Sequence, residues 1–340
     1  MSEGRQSASA SHVHSVSVVV PVYQGELTLP SLIKEIAPLT SVVFTPDGNA
    51  MEVAEVILVY DHGPDRSAET IRRLASEFNF VHAVWLSRNF GQHAATLAGV
   101  SSTGGDWIVT LDEDGQHDPA DIVRFLDTAL ARHTGVVYAE PTNAAPHGAF
   151  RNAGSHLTKW IFARLLPSSD LVSFQSFRMI LGEIGRSVAA YAGSGVFLDV
   201  ALCWVNDRSA SCPTRLRTVA NRSSGYSLRK LLSHMWRMVI TSGTRALRLV
   251  SALGVGFAVL GVVLAAVLVI LRLTNTTQVA GWTSVIVMIL FGSGIVLFAL
   301  GVIAEYIGVA VNMAMGKPLY LIVGDPNHGP LGAQVRSPSK

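Results

Sequence analysis

Trp107-Ile108-Val109-Thr110-Leu111-Asp112-Glu113-Asp114-Gly115-Gln116 is an uncharged apolar run that stops abruptly in three carboxylates. A short continuous run of β-branched and bulky residues fits a strand buried on both faces, as in parallel sheets. Residues 16–22, 56–60, 81–86 and 136–139 repeat the pattern. Between them, residues 27–37, 67–78, 92–100 and 119–131 carry helical periodicity, the last with Asp118 as N-cap and Pro119 at the first position. This alternation predicts a βαβ series and an α/β fold with a mostly parallel, Rossmann-like sheet. Ligands of such sheets lie beyond the carboxyl ends of the strands, which nominates residues 21–26, 61–67, 87–91 and 112–118.

The chain has 340 residues, more than one ordinary domain needs, and its apolar excess (49% hydrophobic against 15% charged) lies beyond Arg248. That asymmetry predicts a membrane part. A net charge of +2, with no long basic run interleaved with aromatics, excludes nucleic acid as a partner. Cys203 and Cys212 are too few for a disulfide framework or a structural zinc site, so a reducing, cytosolic catalytic domain is expected. Residues 1–15 have no apolar core and read as a disordered tail rather than a signal peptide.

Two uncharged apolar runs, 249–271 and 283–304, each exceed the roughly 20 residues that cross a bilayer. With the short connection 272–282 they form an expected antiparallel transmembrane hairpin. Arg237, Arg245, Arg248 and Lys317 flank it outside, while the loop holds only Arg272, so both termini are expected in the cytoplasm. Leu228, Leu231, Leu232, Met235 and Val239 share one helical face, with Arg229, Lys230 and Arg237 off it. A basic amphipathic helix of this kind lies in the headgroup plane, and a surface helix on the soluble domain is the alternative. Residues 151–166 divide evenly between the same two readings. The expected domain plan is a tail (1–15), a catalytic domain (16–227), a juxtamembrane amphipathic helix (228–248), the hairpin (249–304) and a cytoplasmic C-terminal tail (305–340).

Three carboxylates crowded at one strand end repel one another unless a cation neutralises them, and hard oxygen ligands suit Mg2+ or Mn2+. Such a metal neutralises the diphosphate of a leaving nucleotide. A solvated acidic turn is the alternative. Asp61 closes another strand, where a carboxylate accepts hydrogen bonds from a nucleobase or simply shapes a turn. Tyr23 stacks on a base or packs locally.

In order along the chain stand Val20-Pro21-Val22-Tyr23, Asp61 with Pro64-Asp65, Ser87-Arg88-Asn89-Phe90-Gly91, Asp112-x-Asp114 and Gln116. This ordered set resembles the family 2 polyprenyl-phosphate glycosyltransferases, which include dolichol-phosphate mannose synthases and bacterial undecaprenyl-phosphate sugar transferases. The resemblance spans about residues 16–320, since Ser224-Gly225-Tyr226-Ser227-Leu228-Arg229-Lys230 and the hairpin match the bacterial branch. Gly91-Gln92-His93-Ala94 looks closest to aminoarabinose-type members. The resemblance implies a GT-A fold in which Pro21, Tyr23, Val59 and Asp61 contact the nucleoside. It places Asp112, Glu113 and Asp114 at the diphosphate and metal, with Gln116 near the reacting centre. Arg88 then orders its strand end or faces the donor. A homo-oligomer, tetrameric in the family, is implied as well.

Several positions depart from the family pattern. The usual Tyr-Asn-Glu is Tyr23-Gln24-Gly25, and the first Asp of the usual Asp-Asp pair is Tyr60. A common Arg is Pro141, the Asp before Phe-Arg is Ser176, and the Lys of Ser-Lys-Tyr is Gly225. The cation for an acceptor phosphate must then be Arg217, Arg222, Arg229 or Lys230, each of which reads equally as a charge against lipid headgroups. The expected activity is inverting transfer from a nucleotide-sugar, a UDP-sugar, to a polyprenyl phosphate such as undecaprenyl phosphate. Its expected place is the cytoplasmic face of the inner (plasma) membrane, with Mg2+ or Mn2+ as cofactor. Two alternatives stand beside it. A processive polysaccharide synthase is disfavoured by only two spans and no Gln-x-x-Arg-Trp motif. A degenerate, membrane-anchored binding or scaffold protein is suggested by the departures and opposed by the retained Asp112 and Asp114.

Overall fold

The computed structural model describes residues 12–143, 175–193, 197–206, 208–217, 282–316 and 318–328, with scattered residues between 250 and 270. The chain divides into two compact units. One comprises Met1–Ala163, Pro167–Gly225 and Pro318–Lys340, the other Arg164–Leu166 and Tyr226–Lys317.

The first unit is a nine-stranded sheet with helices. Its strands are β1 (His14–Val22), β2 (Val43–Phe44), β3 (Ala50–Tyr60), β4 (Val81–Leu86), β5 (Trp107–Thr110), β6 (Val136–Pro141), β7 (Arg178–Leu181), β8 (Ala210–Thr214) and β9 (Ile322–Val323). Its helices are α1 (Leu29–Ile36), α2 (Ser67–Glu77), α3 (Gln92–Ser101), α4 (Ile122–Arg132), α5 (Gly182–Tyr191) and α6 (Leu198–Val205). The order is β8-β6-β7-β5-β1-β3-β4-β9, with β2 on β3. The centre, β5-β1-β3-β4, is parallel throughout. Val16, Val18, Val19, Val20, Val56, Leu58 and Val109 are fully buried there, which is why residues 16–22, 56–60 and 107–110 read as nearly continuous apolar runs. The outer part is mixed: β7 runs antiparallel to β5 and β6, and β8 parallel to β6.

α1 buries Leu29, Leu32, Ile33 and Ile36, the i, i+3, i+4, i+7 stripe of an amphipathic helix. α3 is different, buried from Ala94 through Val100, and its small side chains let it press closely on β1 and β3. Asp118 accepts from the Ala120 amide as the expected cap, although the first turn, Pro119–Asp121, is 3-10 and α4 proper starts at Ile122.

β3 and β4 follow β1 on one side, whereas β5 lies on the other. The chain therefore reverses direction across the sheet between β1 and β5, and the crevice at their carboxyl ends is where this architecture binds ligands.

In the second unit the described helix is α7 (Trp282–Ala314), in which Phe291–Ala314 has a mean hydropathy of 2.2 and is long and apolar enough to cross a membrane. It runs past Ala304, where the sequence pattern ended. A shorter apolar helix lies at Gly254–Val263. Residues 228–248, 151–166 and 272–281 lie outside the described residues. Part of the segment expected as a tail is ordered instead: residues 305–314 complete α7, and Ile322–Val323 form β9, antiparallel to β4, while residues 329–340 lie outside the described residues.

Candidate active site

Four loops meet at the carboxyl ends of β1, β3, β4 and β5, and hydrogen bonds join each to the next. After β1, the Tyr23 and Gln24 amides donate to the Glu113 carboxylate at 3.1 and 2.9 Å. The Gly25 amide donates to Ser67 Oγ at 2.8 Å, and the Glu26 amide to Asp65 at 3.1 Å. Tyr23 itself remains 45% exposed, a free aromatic face at the crevice. The loop after β3 lies hard against this segment. A Cβ on Gly63 would sit 1.4 Å from the Tyr23 carbonyl oxygen, so only glycine fits there.

Asp61 is buried, and its two carboxylate oxygens accept from the Phe90 and Gly91 amides at 2.7 and 2.8 Å. Asn89 Nδ2 donates to the Asp61 carbonyl at 3.0 Å. Burial pushes the Asp61 carboxyl up, and the two amides offset only part of that rise. Asp61 thus shapes the loop after β4 from within. Arg88 folds onto that same loop, its guanidinium 4.1 Å from the Phe90 ring, and stays exposed.

At the end of β5, Asp112 accepts from Gln92 Nε2 at 2.6 Å and from Ser176 Oγ at 2.5 Å. Burial pushes its carboxyl up; the Ser176 hydroxyl lowers it, Asp114 raises it, and His117 and Arg178 lower it. Asp114 accepts from the Gln116 amide at 3.0 Å, closing a tight turn with Gly115 at φ +72°. His117 is buried with its ring 5.0 Å from Phe177, and burial holds its imidazole below the usual range.

Among the described residues no three His, Cys, Asp or Glu side chains form a metal cage. Asp112 and Asp114 offer hard oxygens at one strand end. That pair fits a Mg2+-type ion, which takes one or two carboxylates and fills its other positions from substrate phosphates and water.

The remaining expected site residues fall differently. Pro21 and Val59 are buried strand residues and offer a ligand no side-chain surface. Glu113 is turned onto the Tyr23 and Gln24 amides, so its observed role is to tie two loops together. Arg217, expected at an acceptor phosphate, pairs with Glu35 at 2.5 Å and Asp118 at 2.8 Å, while its amide donates to the Gln116 carbonyl at 2.8 Å. It braces the Asp112–Asp118 loop. Arg222, Arg229 and Lys230 lie outside the described residues.

One supporting group escaped the pattern. Arg178 on β7 is buried with Asp199 and Tyr138, pairs with Asp199, and donates Nε to Thr110 Oγ1 at 3.0 Å. Thr110 Oγ1 in turn donates to the Ser176 carbonyl at 2.5 Å. This relay sets Ser176 against Asp112. An arginine opening the otherwise apolar strand Arg178–Leu181 was the available signal.

A family model, Glycosyl transferase family 2, matches residues 17–182, covering the whole strand-end crevice. The undecaprenyl-phosphate 4-deoxy-4-formamido-L-arabinose transferase of Yersinia enterocolitica is 31% identical over 330 residues, 91% of this chain and 93% of that protein. The chain belongs to glycosyl transferase family 2. Another member of this family, the enzyme of the same name from Pseudomonas aeruginosa, is 31% identical over 90% of this chain and 89% of its own length. Among solved structures, glucosyl-3-phosphoglycerate synthase from Mycobacterium tuberculosis superposes with a TM-score of 0.48 at 20% identity, covering 67% of this chain and 79% of that one. Mannosyl-3-phosphoglycerate synthase from Rubrobacter xylanophilus gives 0.47 at 16% identity, covering 78% and 77%. The family 2 chain is a glycosyltransferase, its α/β fold is GT-A-like, and its four tied loops are the candidate donor site.

Proposed function

We propose that this glycosyltransferase moves a sugar from a UDP-sugar to a polyprenyl phosphate, undecaprenyl phosphate in bacteria, with inversion at the anomeric carbon. The observation that carries the reading is the extent of the match. Likeness to undecaprenyl-phosphate sugar transferases covers 91% of the chain, well beyond the crevice-bearing residues 17–182.

The acceptor phosphate is already anionic at neutral pH, so it needs aiming rather than deprotonation. A phosphate oxygen attacks the anomeric carbon, the carbon–oxygen bond to the diphosphate breaks, and the nucleoside diphosphate leaves with that electron pair. Tyr23 supplies the aromatic face for the base, and Asp61 holds loop 87–91 in shape beside it. Asp112 and Asp114 are the residues that would hold Mg2+ or Mn2+, which when bound supplies charge neutralisation at the diphosphate. Gln116 stands on the same loop, braced by Arg217. Arg222, Arg229 and Lys230 are assigned to the acceptor phosphate, for which guanidinium forks are suited.

The domain plan becomes a catalytic unit of residues 16–227 plus the returning segment 318–328, and a two-span hairpin that tethers it to the cytoplasmic face of the inner membrane. β9 supports the hairpin. A single crossing through α7 would leave β9 on the opposite side from β4, its partner in the sheet. With α7 as one crossing, a second keeps β9 with its partner, and the apolar run 249–271 is the sequence segment assigned to it.

The test is a donor screen with purified full-length protein in detergent and undecaprenyl phosphate, read by the mass of the product lipid. UDP-4-deoxy-4-formamido-L-arabinose is included among the donors, and the anomeric configuration of the product is assigned by NMR. A glycosyl phospholipid with inverted configuration is expected. Absence of any lipid product across the UDP-sugars overturns the assignment.

A further inference from the structure

Among the described residues, β9 pairs with the sheet at the carboxyl end of β4. Trp85 pairs with Val323 and Leu86 with Ile322, and the next amide, Ser87, donates to the Leu321 carbonyl at 3.0 Å. Ser87 opens the loop that wraps Asp61. Three residues further on, Phe90 and Gly91 donate to the Asp61 carboxylate, and Gln92 then reaches Asp112. Behind β9 the segment is pinned twice more. Arg72 on α2 makes a two-pronged ion pair with Asp325, both contacts 2.7 Å, with side chains only 22% and 13% exposed. The same guanidinium lies 4.7 Å from the Trp85 ring, and Arg72 holds the Asp325 carboxyl well below the usual carboxylate range. Tyr320 donates its hydroxyl to Ser101 at the end of α3, at 3.0 Å.

Bidentate arginine–carboxylate pairs are among the stronger and more directional polar contacts, and a two-residue strand cannot hold an edge without such help. We propose that β9 and the Arg72–Asp325 pair are a positioning device for the donor site, fixing the start of loop 87–91 and through it Asp61 and Gln92. This rests on the reading that the nucleotide seats at that loop. The chain that follows the membrane helix is thus part of the donor-binding machinery, although it lies more than two hundred residues from the loop it holds. Asp325 and Arg72 are positioning residues with no direct part in the chemistry.

The experiment uses full-length protein in detergent with three variants, Asp325→Ala, Arg72→Ala and the conservative Asp325→Glu. Amide exchange across 81–92 is measured with and without UDP, beside KM for the UDP-sugar, KM for the lipid and kcat. Release of the segment is expected to speed exchange at 87–91 and raise donor KM about tenfold, roughly one charge-assisted hydrogen bond. Acceptor KM and kcat at saturating donor are expected to stay near native, exchange in β1 to stay unchanged, and Asp325→Glu to recover part of the donor KM. Unchanged exchange at 87–91 in both alanine variants overturns the positioning role, as does faster exchange with native donor KM. Loss of protection across the whole sheet in the alanine variants, with no donor-specific defect in Asp325→Glu, assigns the pair to global stability and also overturns it. If UDP fails to slow exchange at 87–91 in the native protein while the variants still speed it, the donor-seat reading is what fails, and the functional part of this inference falls with it.

Discussion

Replacing Glu113 by Gln separates two roles for the middle carboxylate of Asp112-Glu113-Asp114. In the structure its oxygens accept from the Tyr23 and Gln24 amides at 3.1 and 2.9 Å. Charge-assisted bonds at a partly exposed site contribute about 1 kcal/mol each once solvent competition is discounted. The pair therefore holds the Tyr23 loop by about 2 kcal/mol, which bounds its effect on donor affinity at about 30-fold. Gln keeps one acceptor oxygen but turns an NH2 group toward the second amide, so Glu113→Gln should raise donor KM about tenfold. The concentration of Mg2+ or Mn2+ for half-maximal rate should not change, because the carboxylate faces the loop. Gly25→Ala approaches the same contact from the other side, since its Cβ would lie 2.7 Å from Glu113 Oε2 and 2.8 Å from Leu29 Cγ. It too should raise donor KM, and the double variant should lose less than the sum of the two. The assay is steady-state transfer at varied UDP-sugar and varied metal. A shifted metal requirement with native donor KM in Glu113→Gln refutes the tie and returns Glu113 to the metal.

Asp114→Asn should lower transfer about a hundredfold or more while thermal unfolding stays near native, and excess chelator should silence the native enzyme; full activity in chelator refutes the metal assignment. Arg217→Ala should leave lipid KM near native and lower kcat, because Arg217 braces the Gln116 loop through Glu35 and Asp118. Arg222→Ala should instead raise lipid KM, and the opposite split would exchange the two roles. A cysteine at Thr276 should label from the side opposite to one at Ser2, and labelling of both from the same side refutes the two-span hairpin. Asp325 has a lowered carboxyl, so its contribution is complete above the ordinary carboxylate range near about 4 and is lost only as pH falls below it. The ratio of donor KM in Asp325→Ala to that of the native protein should accordingly stay constant through mild acid, whatever Asp61 and Asp112 do in both, and a ratio that falls toward one between about pH 6 and about pH 5 would refute the dependence on this pair.

The parallel centre was legible because residues 16–22, 56–60 and 107–110 are almost continuously buried and carry no charge, whereas the first half of β3, which holds Glu52 and Glu55, was not read as strand. The polar ends of these runs were legible for the same reason, since a strand end is where the apolar run stops. β7 was not read as a strand, because its first residue is an arginine whose partner, Asp199, comes from α6. β9 has two residues and gains its hold from Arg72, far earlier in the chain, so no local pattern marks it. Side-chain direction at the site was equally non-local. Asp112, Glu113 and Asp114 are consecutive, yet one meets α3 and Ser176, the next the β1 loop, and the third its own turn. Spacing located the cluster, and tertiary contacts divided its work. Arg217 looked like a free cation in sequence because Glu35 and Asp118 approach it only after folding.

The departures from the family pattern were the reason to weigh a degenerate binding protein, and the structure gives three of them, Tyr60, Gly25 and Ser176, a compensating partner. Tyr60, in place of an Asp, donates its hydroxyl to the Gly63 carbonyl at 3.2 Å and packs its ring 5.4 Å from Trp85. It props the turn that Gly63 presses against Tyr23. Gly25, in place of a Glu, leaves the space that the Glu113 carboxylate occupies while it holds the neighbouring amides. A negative charge is kept beside this loop, supplied from β5 instead of β1. Ser176, in place of an Asp, meets Asp112 as a hydroxyl donor at 2.5 Å, where a second carboxylate would repel it. All three changes therefore end in contacts that order the same four loops. A chain drifting away from turnover has no need to keep those loops tied around Asp112 and Asp114, whereas an enzyme that binds its donor in a pre-formed crevice does.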